Sequence, residues 1–138
     1  ILDRFAAFNR QIEITEFDFN TADEELQAQF TRDLLITAFS HPSITNFLMW
    51  GFWEGQHWVP RGAMVRKDLT TKPNYDVWRE MVYTKWWTNE FGATGEDGLY
   101  AIRGFLGDYD IEVTAGEKTL TLPATLTRDG IVVKAVLN

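Results

Sequence analysis

Ile12-Glu13-Ile14-Thr15-Glu16-Phe17-Asp18-Phe19 is the stretch on which the reading of this chain turns. Taken as a strand, its side chains alternate between two faces. Ile12, Ile14, Glu16 and Asp18 then fall on one face, and Glu13, Thr15, Phe17 and Phe19 on the other. The first face begins apolar and ends in two carboxylates, about 6–7 Å apart at ~3.3 Å per residue. Burying both charges without partners is costly, so a plain core strand has no use for them. Two readings fit. Either catalytic side chains sit at the C-terminal rim of a barrel strand, or Glu16 and Asp18 open a solvated loop ahead of the next helix.

Outward from this strand, Ile1, Leu2, Phe5 and Phe8 have helical spacing up to Asn9-Arg10. On the other side, Thr21-Ala22-Asp23-Glu24 reads as a capping box with Thr21 at the N-cap. Leu26, Phe30, Leu34 and Ala38 predict the core-facing stripe of a helix that His41-Pro42 ends. Ile44–Phe52 follows, and its continuously apolar run Phe47–Trp50 suits a parallel strand covered on both faces. After a loop rich in Gly, Trp and charge, Pro73-Asn74 opens a helix with Tyr75, Trp78, Val82 and Trp86 on one side. Strand, helix, strand, loop, helix predicts βα units on a parallel sheet. Gly92, Gly95 and Gly98 then punctuate a polar linker. Beyond it, short strands are expected at Leu99–Arg103, Tyr109–Thr114, Lys118–Leu122 and Ile131–Leu137, with a hairpin turn at Ala115-Gly116-Glu117. They make a small antiparallel β unit.

Composition narrows the class. A chain of 138 residues suits one domain, or a domain with an appendage. A net charge of −7 argues against a nucleic-acid partner, and no run approaches the roughly 20 apolar residues of a membrane span. There is no Cys, and the only two histidines, His41 and His57, lie far apart, so no metal and no cofactor are expected. Six Trp in so short a chain point to large core fillers, or to flat platforms for ligands with apolar faces such as sugars. The first residues, Ile1-Leu2-Asp3-Arg4-Phe5, read as if the chain were entered partway through a helix. A piece of a longer protein is expected.

Adjacent parallel strands place their C-terminal ends at one rim. Glu16 and Asp18 end the first, and Trp50-Gly51-Phe52-Trp53-Glu54-Gly55-Gln56-His57-Trp58 ends the second. Carboxylates beside Trp rings suit a sugar site, where acids handle the glycosidic bond and aromatic faces stack on the pyranose. Trp50 is also readable as an interior filler and Trp58 as a loop anchor. Trp78, Trp86 and Trp87 read as core or interface residues and His41 as a helix-end residue, while Glu54 and His57 stay open.

Ile14-Thr15-Glu16-Phe17-Asp18 resembles the seventh barrel strand of glycoside hydrolase family 10, the endo-1,4-β-xylanases, where the pattern is Ile-Thr-Glu-Leu-Asp. Ser40-His41-Pro42-Ser43-Ile44 and the Trp50–Trp58 segment are similar to that family's passage into and beyond strand eight, usually Trp-Gly-Val-x-Asp-x-x-Ser-Trp. Lys72-Pro73-Asn74-Tyr75 resembles its Lys-Pro-Ala-Tyr opening of helix eight. Arg103–Val113 is similar to a C-terminal extension found on some members. Glu54 stands where the family has Asp, and His57 where it has Ser.

The resemblance implies an α/β fold: the last two β/α units of a TIM (β/α)8 barrel over residues 1–90, then a small antiparallel β extension over 91–138. It implies Glu16 as nucleophile of a retaining mechanism, Asp18 as its supporting partner, and Trp50, Trp58 and Glu54 as substrate-binding residues. The implied substrate is xylan or a xylo-oligosaccharide, and the implied location is extracellular; another retaining barrel β-glycosidase, or a non-catalytic carbohydrate-binding or structural fragment, is the alternative reading. The implied partner is the N-terminal remainder of the barrel, in the same protein or a second chain. A retaining glycosidase needs a second carboxyl about 5–5.5 Å from the nucleophile, across the scissile bond, and the family's acid/base Glu has no counterpart here. The 138-residue chain alone is therefore expected not to hydrolyse xylan, since general acid assistance is worth typically ~10²–10⁴-fold. A reducing-sugar assay on the pure chain checks this, and clear release would overturn it.

Overall fold

A short helix, α1 (Leu2–Ala6), precedes strand β1 (Ile12–Phe17), helix α2 (Glu24–Ser40) and strand β2 (Ile44–Met49) in the computed structural model, which describes residues 1–137. β1 and β2 pair in parallel, joined by the α2 crossover. The register runs Ile12↔Ile44, Glu13↔Asn46, Ile14↔Phe47 and Phe17↔Met49, with irregularities between Ile12 and Glu13 and between Ile14 and Phe17. Strict alternation is thus interrupted just where Glu16 stands, and Asp18 lies one residue beyond the strand. Helix α3 (Pro73–Glu80) closes the α/β part and passes into a π-type turn at Met81–Lys85. The side read through Tyr75 and Trp78 runs on into that turn at half-buried Val82, while Trp86 lies just past its end.

One face of the β1–β2 pair is covered by aromatic rings. Phe17 packs on Phe30 of α2 (ring centres 6.0 Å) and on Phe47 of β2 (5.5 Å). Phe19 stacks on Phe30 at 4.5 Å, and Phe47 reaches Trp78 of α3 at 5.8 Å. The opposite face of β2 carries exposed Asn46 and half-exposed Leu48, so within this chain β2 is covered on one face, not on both.

Two expectations for α2 are corrected. Asp23, not Thr21, is the N-cap: its Oδ1 accepts the Leu26 N–H at 2.9 Å, while Thr21 Oγ1 accepts the Asp23 N–H at 3.1 Å. The buried stripe is Gln27, Ala28, Thr31, Leu35 and Ala38, whereas Leu26 and Phe30 are nearly half exposed. The fully buried positions lie one step round the helix from the expected stripe: Ala38 belongs to both, Leu34 is half-buried, and Phe30 still meets the Phe17 and Phe19 rings.

The loop between β2 and α3 is tied to both. Met64 and Val65 N–H donate to Phe52 O (3.0 and 2.7 Å), Glu54 N–H donates to Val65 O (2.9 Å), and Lys72 N–H donates to Met64 O (2.9 Å). The fully buried Gln27 donates through Nε2 to Phe19 O (2.8 Å) and to Arg61 O (2.7 Å). Buried Lys72 reaches the same Arg61 O with Nζ (3.2 Å) and pairs with Glu54 Oε1 at 2.7 Å. Arg66 grips both carboxylate oxygens of Glu24 in the first turn of α2 and donates to Thr71 O (2.6 Å).

A second compact unit begins at Trp86. Its β3 (Gly107–Ala115) and β4 (Lys118–Leu126) form an antiparallel hairpin, with Tyr109, Ile111 and Val113 opposite Ala124, Leu122 and Leu120. The turn is the two residues Gly116 and Glu117, and Gly116 has φ +62°, which glycine adopts without strain. The strands expected at Leu99–Arg103 and Ile131–Leu137 are absent among the described residues. Leu99 O instead accepts the Gly95 N–H in a turn (2.9 Å), and the apolar run after Ile131 has no strand partner. Asn138, last of the expected extension, lies outside the described residues.

Two outcomes follow from the loop anchors. Gln27→Leu removes the side-chain donor to Phe19 O and one of the two donors to Arg61 O, so stability should fall by about 1 kcal/mol, read as a lower denaturation midpoint at unchanged slope. The hydrogen bond from Lys72 holds the Glu54 carboxyl below the ordinary glutamate range. A carboxyl depressed on folding adds stability above its unfolded value, about 4.3, and that stability is lost as pH falls through the folded value. Melts from pH 7 to pH 3 should show this loss in the wild type and a shallower acid limb in Glu54→Gln.

Candidate active site

The site grows from the ends of the two parallel strands. Trp50 N–H donates to Phe17 O (2.8 Å), extending the ladder one step past β2. Gly51 then turns the chain at φ +71°, a backbone that glycine adopts freely. The loop folds back through His57, whose N–H donates to Trp53 O (3.1 Å), and through a 3-10 turn at Pro60–Gly62. Gly55 lies directly under the Trp53 ring: a Cβ there would stand 2.2–2.5 Å from ring carbons, so no larger residue fits without moving the indole.

This path carries Trp58 across to the end of β1, where its indole Nε1–H donates to Asp18 Oδ2 at 2.8 Å, 40 residues away in sequence. The indole remains 70 % exposed and Trp50 46 %, so the ring of Trp58 is tethered by its edge while much of its surface faces solvent. Glu16 is exposed on β1, and Asp18 is half-buried. A carboxylate acceptor makes the stronger, charge-assisted kind of hydrogen bond. The arrangement can therefore present a fixed aromatic surface beside a strand end that carries Glu16.

Of the residues singled out in the sequence, Asp18 and Trp58 are brought together directly. Glu54 is turned to Lys72, which is buried, so its carboxylate holds the loop from within. His41 follows the last turn of α2, with Nδ1 accepting the Ser43 N–H (3.2 Å) and Nε2 3.3 Å from Asp3 Oδ1. Sequence reasoning missed Gln27 and Lys72 as loop anchors. A glutamine on the buried side of an amphipathic helix was the available signal for the first. Among the described residues, no group of three or more His, Cys, Asp or Glu is placed to hold a metal ion, and no helix is long and apolar enough to cross a membrane.

Comparison with known proteins identifies the family of the segment that carries these residues. The family profile described as glycosyl hydrolase family 10 matches residues 1–81, which hold β1, β2, Glu16, Asp18 and the whole Trp50–Trp58 loop. An anti-sigma-I factor, RsgI6, from Acetivibrio thermocellus is 41% identical over 118 residues, covering 86% of this chain and 16% of that protein. Endo-1,4-beta-xylanase 3 of Arabidopsis thaliana is 26% identical over 112 residues, covering 81% of this chain and 15% of its own. Endo-1,4-beta-xylanase 1 of the same plant is 27% identical over 122 residues, covering 86% of this chain and 13% of its own. The chain thus spans only 13–16% of the length of these curated relatives. With the profile covering more than half of its 138 residues, the chain belongs to glycosyl hydrolase family 10.

Proposed function

We propose that this chain forms the C-terminal part of a retaining endo-1,4-β-xylanase that cleaves internal β-1,4-xylosidic bonds. Residues 1–90 supply the last two β/α units of the TIM barrel, and 91–138 an appended β unit. The remaining barrel units, with the acid/base carboxyl, come from elsewhere in the same protein or from a second chain. The observation that carries this reading is the Trp58 Nε1–Asp18 Oδ2 hydrogen bond, 2.8 Å, because it joins an aromatic platform to the strand end that bears Glu16. In the reaction the Glu16 carboxylate attacks the anomeric carbon and forms a glycosyl ester. The leaving oxygen takes its proton from the acid carboxyl across the scissile bond, and water then hydrolyses the ester. Trp50 and Trp58 stack on the sugars, Asp18 fixes Trp58, and Glu54 acts from within the loop by holding Lys72. Xylan, as an extracellular polymer, places the protein outside the cell.

A second reading is favoured by one finding, the 41% identity to a protein named as an anti-sigma-I factor. On that reading the same rim binds a polysaccharide without turnover, as the sensing part of a regulator.

One experiment separates the two. The complete protein is treated with a 2-fluoro-xylobioside carrying a good leaving group, and the adduct is mapped by peptide mass. A label on Glu16 is expected, with Glu16→Gln abolishing turnover while xylo-oligosaccharide binding persists. Trp58→Ala should weaken binding by roughly 1–2 kcal/mol through loss of one stacking face. A label on Asp18 or Glu54 would overturn the assignment of the nucleophile. Tight binding with neither label nor turnover would select the second reading.

A further inference from the structure

The family pattern that the Trp50–Trp58 segment resembles has Ser where this chain has His57, whose ring fills a slot between Gly51 and Gly62 that a Ser side chain would leave open. The ring is buried, with 9 % exposure. Nδ1 accepts the Val59 N–H at 3.1 Å, which leaves the neutral ring's proton on Nε2. That atom is buried without a hydrogen-bond partner among the described residues. An orphaned buried donor costs about 1–3 kcal/mol, so packing alone is a poor reason to keep an imidazole there.

The ring is wedged between two glycines. A Cβ on Gly51, where the chain leaves β2, would stand 2.9 Å from His57 Cδ2. A Cβ on Gly62 would stand 3.1 Å from His57 Cε1 and 3.2 Å from Asp18 Cβ. The imidazole therefore occupies the slot between the β2 exit and the Pro60–Gly62 turn, beside the residue that accepts the Trp58 indole proton. Trp58 is covalently next to His57, and the residue after it, Val59, is the one whose N–H the ring holds.

We propose that His57 is a positioning residue for Trp58: by accepting the Val59 N–H from within the Gly51–Gly62 slot, it fixes the backbone on both sides of Trp58 so that the indole meets Asp18. The platform is thereby oriented before any ligand arrives. Ordering it in advance saves the entropy of doing so on binding. The proposal deepens the sugar-rim reading and rests on it only for what Trp58 binds.

The test is read on the protein alone. The complete protein is labelled with 15N-tryptophan, and the Trp58 indole resonance is identified by its loss in Trp58→Phe. Asp18→Ala sets the position of the unbonded indole. In His57→Asn, Oδ1 can accept the N–H two residues on, as Asn does in turns, while His57→Leu fills the slot with no acceptor. The resonance should stay at the wild-type position in His57→Asn and move to the Asp18→Ala position in His57→Leu. The reverse pattern, or an unmoved resonance in folded His57→Leu, would show a space-filling ring and overturn the proposal. If His57→Leu does not fold, Gly62→Ala presses on the ring and on Asp18 without removing a hydrogen bond. It should shift the resonance, and no shift would likewise overturn the proposal. Titration with xylohexaose separates the two ideas. No binding, with the expected resonance pattern intact, would uphold the His57 role and count against the xylan reading alone.

Discussion

One carbonyl oxygen, that of Arg61, organises the candidate site. Gln27 Nε2 from α2 reaches it at 2.7 Å and Lys72 Nζ, from just before α3, at 3.2 Å. Both donors are buried, and a buried amide or ammonium without an acceptor is strongly penalised. The Pro60–Gly62 turn is therefore held where those two donors can use it. Gly62 then abuts His57 and Asp18, and Trp58 follows. The Asp18–Trp58 contact inherits its geometry from a polar joint beneath it.

That joint also explains why the interior of the α/β part is so polar. Its buried apolar residues are few and mostly small: Ala28, Leu35, Ala38, Ala63 and Met64. Beside them lie Gln27, Thr31, His57, Lys72 and Asn74. Apolar contact is non-directional and would let a loop settle in several ways, whereas hydrogen bonds to particular carbonyls specify one. Lys72 is neutralised locally by Glu54, which makes a buried cation tolerable. The Arg66–Glu24 pair is about a third exposed on each side, and a pair so wet contributes about 0–1 kcal/mol. The rigidity of the loop rests on the buried donors.

Much of the α/β part was legible in the sequence because its signals are local. The apolar run at Phe47, Pro42 after His41, and Pro73 at the first position of a helix each act within a few residues. What failed was also physical. Spacing by fours fits Leu26, Phe30 and Leu34 and fits Gln27, Thr31 and Leu35 equally; apolarity favoured the first set, but the buried line is the second, where Gln27 finds carbonyl acceptors. Thr21 had the right chemistry for an N-cap, yet Asp23 was closer to the first turn and took the role. In the second unit, Ile131–Leu137 has strand-like residues, but a strand exists only with a neighbour to bond. At the site, Asp18 and Trp58 were singled out separately. Their hydrogen bond depends on a tertiary path through 40 residues, and no pattern in the sequence encodes that distance.

The two kinds of strand pairing in this chain also differ in how they can come to exist. Partners in the β3–β4 hairpin are as close as Ala115 and Lys118 in sequence, so that pairing can zip up from its own turn in microseconds. Partners in β1–β2, such as Ile12 with Ile44 or Phe17 with Met49, stand 32 residues apart (44 − 12, 49 − 17). Loop-closure entropy must be met before that contact returns anything, and non-local pairing folds slowly. Helix formation in α2 shortens the intervening chain before the strands meet. Gln27, on that helix and bonded to both Phe19 and Arg61, is then in a position to record that the crossover has closed. The parallel β1–β2 pairing is thus the later one to assemble on a folding chain, and the β3–β4 hairpin the earlier one.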